Sequence, residues 1–429
     1  MFLCYLYHAL KEINLPTALT TIEGDAFNGN AALTSLSLPS SLTTLADAAF
    51  EKMTALTSIE VPASVTKFGT DMFSGCSALA NVVLHNPLTA LPESTFDGCS
   101  KLKSVTLPEG MTGIERYAFN GSGLETITLP NTVTTMADHV FANSKSLVSF
   151  VGSGVTSVGA NAFENCTSLT SASFSPKLTE IASSMFKGCA SLKEFVLTEK
   201  ITMVGYSAFQ GTGIESFVLP SSATFDKANS GGLLRNCTSL KTAQLNSSIT
   251  TLGTYFFEGD KALTTVTGLS GVTSMDTNTF SGCSKLTSLD LDVSKITAMG
   301  SSTFLNCASL TTAYIPTNAA YTEILESTFE GATSLTTVTI PENVTLLSRK
   351  AFKNCSKLTT ITIEGAELNT TNKIVSYGVF YGTALSTLNW QNGTLAKAKA
   401  LLTNAKTGLT KGGVVHVVCG DGEADVTIA

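Results

Sequence analysis

Fifteen phenylalanines recur along this chain at intervals of 22 to 28 residues, each inside the same local phrase of sequence. Phe27, Phe50, Phe73, Phe96 and Phe119 keep a strict beat of 23, and Phe141, Phe163, Phe186 and Phe209 continue it at 22 or 23. Leu234 stands in once, and the beat resumes at Phe257, Phe280, Phe304, Phe329, Phe352 and Phe380. A period of this size marks a stacked-repeat architecture. One unit cannot bury its apolar side alone, so neighbouring units must share a continuous core. That requirement excludes an ordinary globular division of the 429 residues and directs attention to surfaces rather than a central pocket.

Each unit opens on a pattern of the type Leu-x-x-Leu-x-Leu, as in Leu33–Leu38, Leu102–Leu107 and Leu335–Ile340. Its alternation and β-branched content predict a short strand with one buried face. A following proline, such as Pro39, Pro108 or Pro341, ends the strand because it has no N–H for the ladder. A second apolar pair stands eight and five residues before the phenylalanine, for example Leu42 and Leu45, or Met111 and Ile114. This return segment must also face inward. Two residues after the phenylalanine the chain places Gly in ten units and Asn in five, with Lys52 the exception. Both residues tolerate a left-handed backbone, which predicts positive φ at the end of a single helical turn.

The next position holds eight of the ten cysteines: Cys76, Cys99, Cys166, Cys189, Cys237, Cys283, Cys307 and Cys355. Cross-links or metal ligation would be one reading, but no Cys-x-x-Cys pair or nearby histidine supports zinc. Buried free thiols, acting as small apolar side chains, are the expectation.

The combined motif resembles the BspA-type leucine-rich repeat family over roughly residues 10 to 390. The resemblance implies a right-handed solenoid with one short parallel-sheet strand per coil, short return segments and helical turns. It also implies a non-catalytic role in adhesion, since family members are mostly surface proteins of bacteria and some protists. It supplies no binding residue that transfers to this chain. The expected division is a solenoid over residues 1–390, irregular near 220–237 and 364–380, and a small α/β capping segment over 391–429. Within the latter, the run from Leu395 reads as a helix, Gly413–Cys419 as a strand and Asp421-Gly422 as a hairpin turn. Trp390 is expected to pack inward beneath it.

Chemistry is sparse. The four histidines, His8, His85, His139 and His416, show no repeated spacing to a cysteine, serine or carboxylate. No phosphate loop, cofactor motif or metal-ligand spacing emerges, so neither an enzyme nor a cofactor is expected. A net charge of −7 without Lys/Arg clusters argues against nucleic acid, which needs a basic footprint. No apolar run is long enough to span a membrane. The opening residues lack the basic start and cleavage site of a secretory leader, which leaves a cytoplasmic location beside the cell-surface one. Eight Asn-x-Ser/Thr sequences occur, several of them produced by the repeat itself, and they carry little weight for secretion.

The outward strand positions are more informative. About thirty of some forty-eight are Thr or Ser, either because such residues suit strands or because they form a weakly charged, hydrogen-bonding platform. Lys193, Glu194, Glu215 and Lys241 fall on successive strands beside the irregular 220s, and Tyr314 stands out further on. They read either as ladder ion pairs of small energetic value or as partner-binding residues. The partner expected is a protein, of the host matrix or another cell surface, or a glycan. An intracellular scaffold or a structural spacer is the alternative.

Overall fold

The structure is a computed structural model that describes residues 10–225, 231–368, 378–404 and 408–428. Parts of both expected irregular stretches, 226–230 and 369–377, lie outside the described residues. The chain divides into two compact units, Met1–Gly213 and Ile214–Ala429. The division falls inside the stretch 1–390, and the second unit includes residues 391–429.

Each unit is a parallel β-solenoid. In the first, Ser58–Val61, Asn81–Leu84 and Ser104–Thr106 pair in register, as do Thr126–Thr128, Ser149–Gly152 and Ser171–Phe174. The second contains the series Ser216–Val218, Thr242–Gln244, Thr265–Thr267 and Ser288–Leu289. Burial alternates along these strands, as in Thr337–Ile340, where Val338 and Ile340 are buried and Thr337 and Thr339 exposed. The return segments add a second ladder of two-residue pairings, such as Thr21–Ile22 with Thr44–Leu45 and then Lys67–Phe68.

The phenylalanines form the interior column. In the first unit successive rings from Phe27 to Phe209 stack with centroids 5.2 to 5.7 Å apart. In the second, Phe257 to Phe380 stack at 5.2 to 6.0 Å. Burying each ring contributes about 1.5–3 kcal/mol, and each stack adds roughly 0.5–1.5 kcal/mol. Beside the column sit the thiols. Nine described cysteines are free and buried, in agreement with the sequence expectation for the repeat position. They also have a polar task that the sequence did not announce. The Sγ–H groups of Cys76, Cys99, Cys189 and Cys355 donate to the carbonyls of Phe50, Phe73, Phe163 and Phe329, one coil back, at 3.1 Å.

The helical turn expected at the phenylalanine does not form. Positive φ appears two residues after it, at Gly29, Lys52, Asn143 and their equivalents, and also two residues before it, at Asp25, Ala48, Tyr117 and His139. Two left-handed residues so close together prevent an α-helical run. What they permit is a one-way ladder. The N–H groups of Asp25, Phe27 and Gly29 donate to the carbonyls of Asp47, Ala49 and Glu51 in the following coil, and Ala48, Phe50 and Lys52 repeat this toward Thr70, Met72 and Ser74. Intervening N–H groups bond three residues back, as Asn28 does to Asp25. The Gly/Asn choice also has an inter-coil reason. Asn165 Oδ1 stands 2.5 Å from where a Cβ on Gly188 would be, and Asn236 Oδ1 2.2 Å from the same point on Gly259.

The last strands extend the sheet of the second unit. Thr387–Trp390 pairs in parallel with Val414–Cys419, which pairs antiparallel with Gly422–Thr427. Between them lies the helix Leu395–Thr403, opened by Thr394, whose hydroxyl accepts from Lys397 N–H. Asp421 Oδ1 accepts from Leu395 N–H at 2.8 Å. Trp390 is fully buried and its indole N–H donates to Gly365 O at 2.7 Å.

Candidate functional site

Of the residues singled out from the sequence, Glu215 and Lys241 stand beside strands of the sheet face, whereas Lys193, Glu194 and Tyr314 lie in coils that form no strand, contrary to the expectation. Glu215 and Lys241 meet in the second unit: the ammonium lies 2.6 Å from the carboxylate, with both side chains about half exposed or more. Tyr314, also in the second unit, turns its hydroxyl inward. It accepts from Leu289 N–H at 2.8 Å and donates to Leu289 O at 3.2 Å, and its ring lies 6.1 Å from Phe304. The phenol therefore bridges to a neighbouring strand and offers a partner only its ring edge. Lys193 and Glu194 belong to the first unit, where both are exposed. A further pair on that face, Lys103 with Glu125 at 2.6 Å, holds the Glu125 carboxyl below its usual range through the lysine hydrogen bond and charge. It repeats the Lys241–Glu215 arrangement, opposite charges on consecutive coils.

Glu194 contributes to a cleft. A depression of about 500 Å³ in the first unit is lined by Ser171–Phe174, Glu194–Val196, Leu178, Ile181 and Ile201 among others. Val196 is 71% exposed. The aromatic content beneath is high: Phe174 lies 6.4 Å from Phe195, whose ring is 4.8 Å from Phe186 of the interior column.

Three features escaped the sequence reading. A threonine recurs on the return segment through nine consecutive coils, from Thr20 to Thr202. Its hydroxyl donates one coil back, as Thr43 does to Thr20 O at 3.1 Å and Thr112 to Thr89 O at 3.2 Å. The hydroxyl protons are thereby engaged, and the methyls and remaining lone pairs face solvent. The constant offset of seven residues before the phenylalanine was the available signal. On the turn side, Tyr117 stacks on His139 at 4.8 Å with the Arg116 guanidinium 5.4 Å from the Tyr117 centroid. Finally, His416 Nδ1 lies 2.9 Å from Asp425 Oδ1 on the exposed face of the terminal hairpin. The two-residue turn is Gly420-Asp421, one position before the expected Asp421-Gly422, because Cys419 pairs with Gly422, and that register sets His416 opposite Asp425.

Among the described residues no three His, Cys, Asp or Glu side chains converge to hold a metal ion, and no helix is long and apolar enough to cross a membrane. The thiols are shielded rather than activated: burial pushes those of Cys76 and Cys166 up to about 12, which suppresses the nucleophilic thiolate. Five of the sequon asparagines use their amides internally, with Asn120 donating to Asp97, Asn165 to Asn143 and Asn392 to Glu364 O. Asn246 donates to Pro220 O and Ala223 O, and Asn343 to Pro316 O and Asn318 O.

The model of the BspA-type leucine-rich repeat region matches residues 3–124, 112–230, 232–323 and 322–402. A leucine-rich repeat protein from Bacteroides ovatus is similar at 26% identity, over 76% of this chain and 86% of that one, with a TM-score of 0.69. A leucine-rich cell surface protein from Faecalibacterium prausnitzii matches at 21% identity over 88% of this chain and 91% of that one, with a TM-score of 0.47. Among curated proteins none matches.

Proposed function

Because this chain belongs to the BspA-type leucine-rich repeat family, we propose that it is a non-catalytic adhesion module at a cell surface. It uses the Thr/Ser-rich sheet face to engage a protein or glycan. The observation that carries this reading is the face itself: strands in register present rows such as Thr337, Thr360 and Thr387, rigidly spaced by the ladder beneath them. Preorganised hydroxyls lose little conformational entropy on binding. Lys193 and Glu194 in the first unit, and Glu215, Lys241 and the ring edge of Tyr314 in the second, are the partner-contacting residues. The surface location rests on the family's usual setting.

The test uses the full chain against a panel of extracellular-matrix proteins and a glycan array. Replacing Lys193, Glu215 and Lys241 together by Ser is expected to weaken binding at least tenfold, with the melting temperature unchanged. Equal binding by the triple variant would remove these residues from the site. A second reading, an intracellular scaffold, draws on the nine free thiols, since reducing compartments preserve them. Surface antibody labelling of unpermeabilised source cells separates the two.

A further inference from the structure

The sheet of the first unit is interrupted at two places, after Ser104–Thr106 and after Ser171–Phe174, and at the second an aromatic-lined cleft opens. Ser171–Phe174 pairs with Ser149–Gly152 on one side and ends its sheet on the other. The next coil passes as Leu192–Thr198 without forming a strand. Four successive inward positions are half-buried here, Ala172, Phe174, Phe195 and Leu197, as Val105 and Leu107 are at the other break, whereas Val82, Leu84, Leu129 and Phe150 are fully buried. The sequence explains the opening. Ala172 occupies an inward site that neighbouring coils fill with Val105, Ile127, Phe150 or Phe195, so the floor lacks a branched or aromatic side chain between bulky rings. Phe174 meanwhile replaces the Leu of Leu107 and Leu129, and its ring reaches within 5.2 Å of Phe150 and 6.0 Å of Phe163.

We propose that this cleft is an anchor pocket for an extended segment of a protein partner that inserts one bulky apolar side chain beside a basic residue. The proposal deepens the adhesion reading and rests on it. Three observations select that occupant. The floor and walls, Phe174, Phe195, Val196 and Ile181, are apolar, and about 500 Å³ is within the range of ligand-binding clefts. The strand Ser171–Phe174 has a side without a paired strand, so main-chain donors and acceptors at the rim suit a peptide backbone, which a lipid tail cannot answer. Glu194 is the one charged side chain lining the cleft. It is exposed and favours a cation at the mouth.

The probe is a set of blocked hexapeptides, Ser-Thr-X-Lys-Thr-Ser, with X as Phe, Leu, Ile or Ser, and a second set with Glu in place of Lys. Each is titrated against the full chain by fluorescence polarisation. Peptides with apolar X are expected to bind at least tenfold more tightly than X = Ser, and the Lys set more tightly than the Glu set. Ala172→Val, which installs the residue that Val82 and Val105 supply in their own coils, should fill the floor and cut binding at least tenfold while the melting temperature holds. Glu194→Lys should invert the Lys/Glu preference and leave the fold intact. Lys285→Glu, on an exposed turn of the other unit and off the sheet face, should leave peptide binding unchanged.

Binding that ignores X or survives Ala172→Val overturns the pocket. So does the absence of peptide binding when the matrix and glycan panel still binds the sheet face, and in that case the adhesion reading stands. Uptake of a fatty acid that Ala172→Val blocks but Glu194→Lys does not would assign the cleft to a lipid. Concentration-dependent self-association abolished by Ala172→Val would assign it to a second copy. Either result overturns the peptide proposal.

Discussion

Asp260 occupies the repeat position that cysteine fills in eight other coils. It is fully buried, its Oδ1 accepts from Cys237 N–H at 2.8 Å, and its Oδ2 has no hydrogen-bond partner. Burial therefore pushes its carboxyl well above the usual range. With the folded-state pKa raised, the contribution of this group to stability is full below the unfolded value near 3.9. It is lost as pH rises toward and through the folded value. Asp260→Asn is expected to be more stable than the natural chain at pH 7, because Asn has no carboxyl whose ionisation in the unfolded chain opposes folding. The gap should shrink toward zero below pH 4. Urea midpoints of both chains across pH 3 to 8 measure it, and a constant gap would show that Asp260 does not titrate between the states. Residue by residue, the repeat was only half legible. The position two after the phenylalanine announces itself as Gly or Asn, because side chain and backbone demand coincide there. The position two before does not, although its φ is equally positive at Asp25, Ala48, Tyr117 and Lys350. Those residues share no chemistry, and the left-handed backbone is imposed by hydrogen bonds to the next coil.

The spine in the second unit shows how one coil adjusts to another. Leu234 breaks the phenylalanine series, and the following coil carries Phe256, fully buried, immediately before Phe257. The Phe256 ring packs edge-to-face on Phe225 at 5.2 Å and lies 4.8 Å from Phe257. Equivalent positions elsewhere hold smaller side chains such as Ala26, Ala49 and Ala118. The extra ring sits in the coil that accepts the Leu234 N–H on Phe256 O. Restoring the repeat motif with Leu234→Phe is therefore expected to destabilise the chain by about 1–3 kcal/mol through overpacking. Phe256→Ala in the same background should recover part of that loss. A stabilising effect of Leu234→Phe in chemical denaturation would contradict the overpacking. At this scale the sequence told its strand, return segment and interior column plainly, since apolar spacing alone dictates them. The cleft was not legible, because it comes from a single alanine whose meaning depends on the rings in the coils around it.

For the molecule as a whole, the thiols give the most direct check on assembly. Nine of the ten cysteines are buried and free, and those of the repeat column sit against the phenylalanine spine. They are expected to resist a disulfide reagent in the native chain and to react together on unfolding, at a rate limited by opening of the coils. A denatured, unreduced chain that titrates fewer than about nine thiols would mean that some are cross-linked. Stability in such arrays is a sum of coil and nearest-neighbour terms, so protection should be lost in groups of neighbouring thiols rather than singly. Hydrogen exchange on the same sample would show whether Cys76 with Cys99, and Cys283 with Cys307, open as pairs.

The one-way hydrogen bonds of the turns have an evolutionary consequence. Within each unit a coil offers three amide donors forward and accepts on three carbonyls from behind, so every coil carries the same arrow. A tandem copy of one 23-residue segment arrives with its donors and acceptors already matched to both neighbours. Unequal recombination can thus lengthen or shorten such an array without creating an orphaned amide. Units of 22, 24, 25 and 28 residues keep their phenylalanine in the column too, so a copied unit of any of these lengths preserves it. Repeat number is consequently the variable that mutation can alter most freely in this fold, while the identity of each column stays fixed.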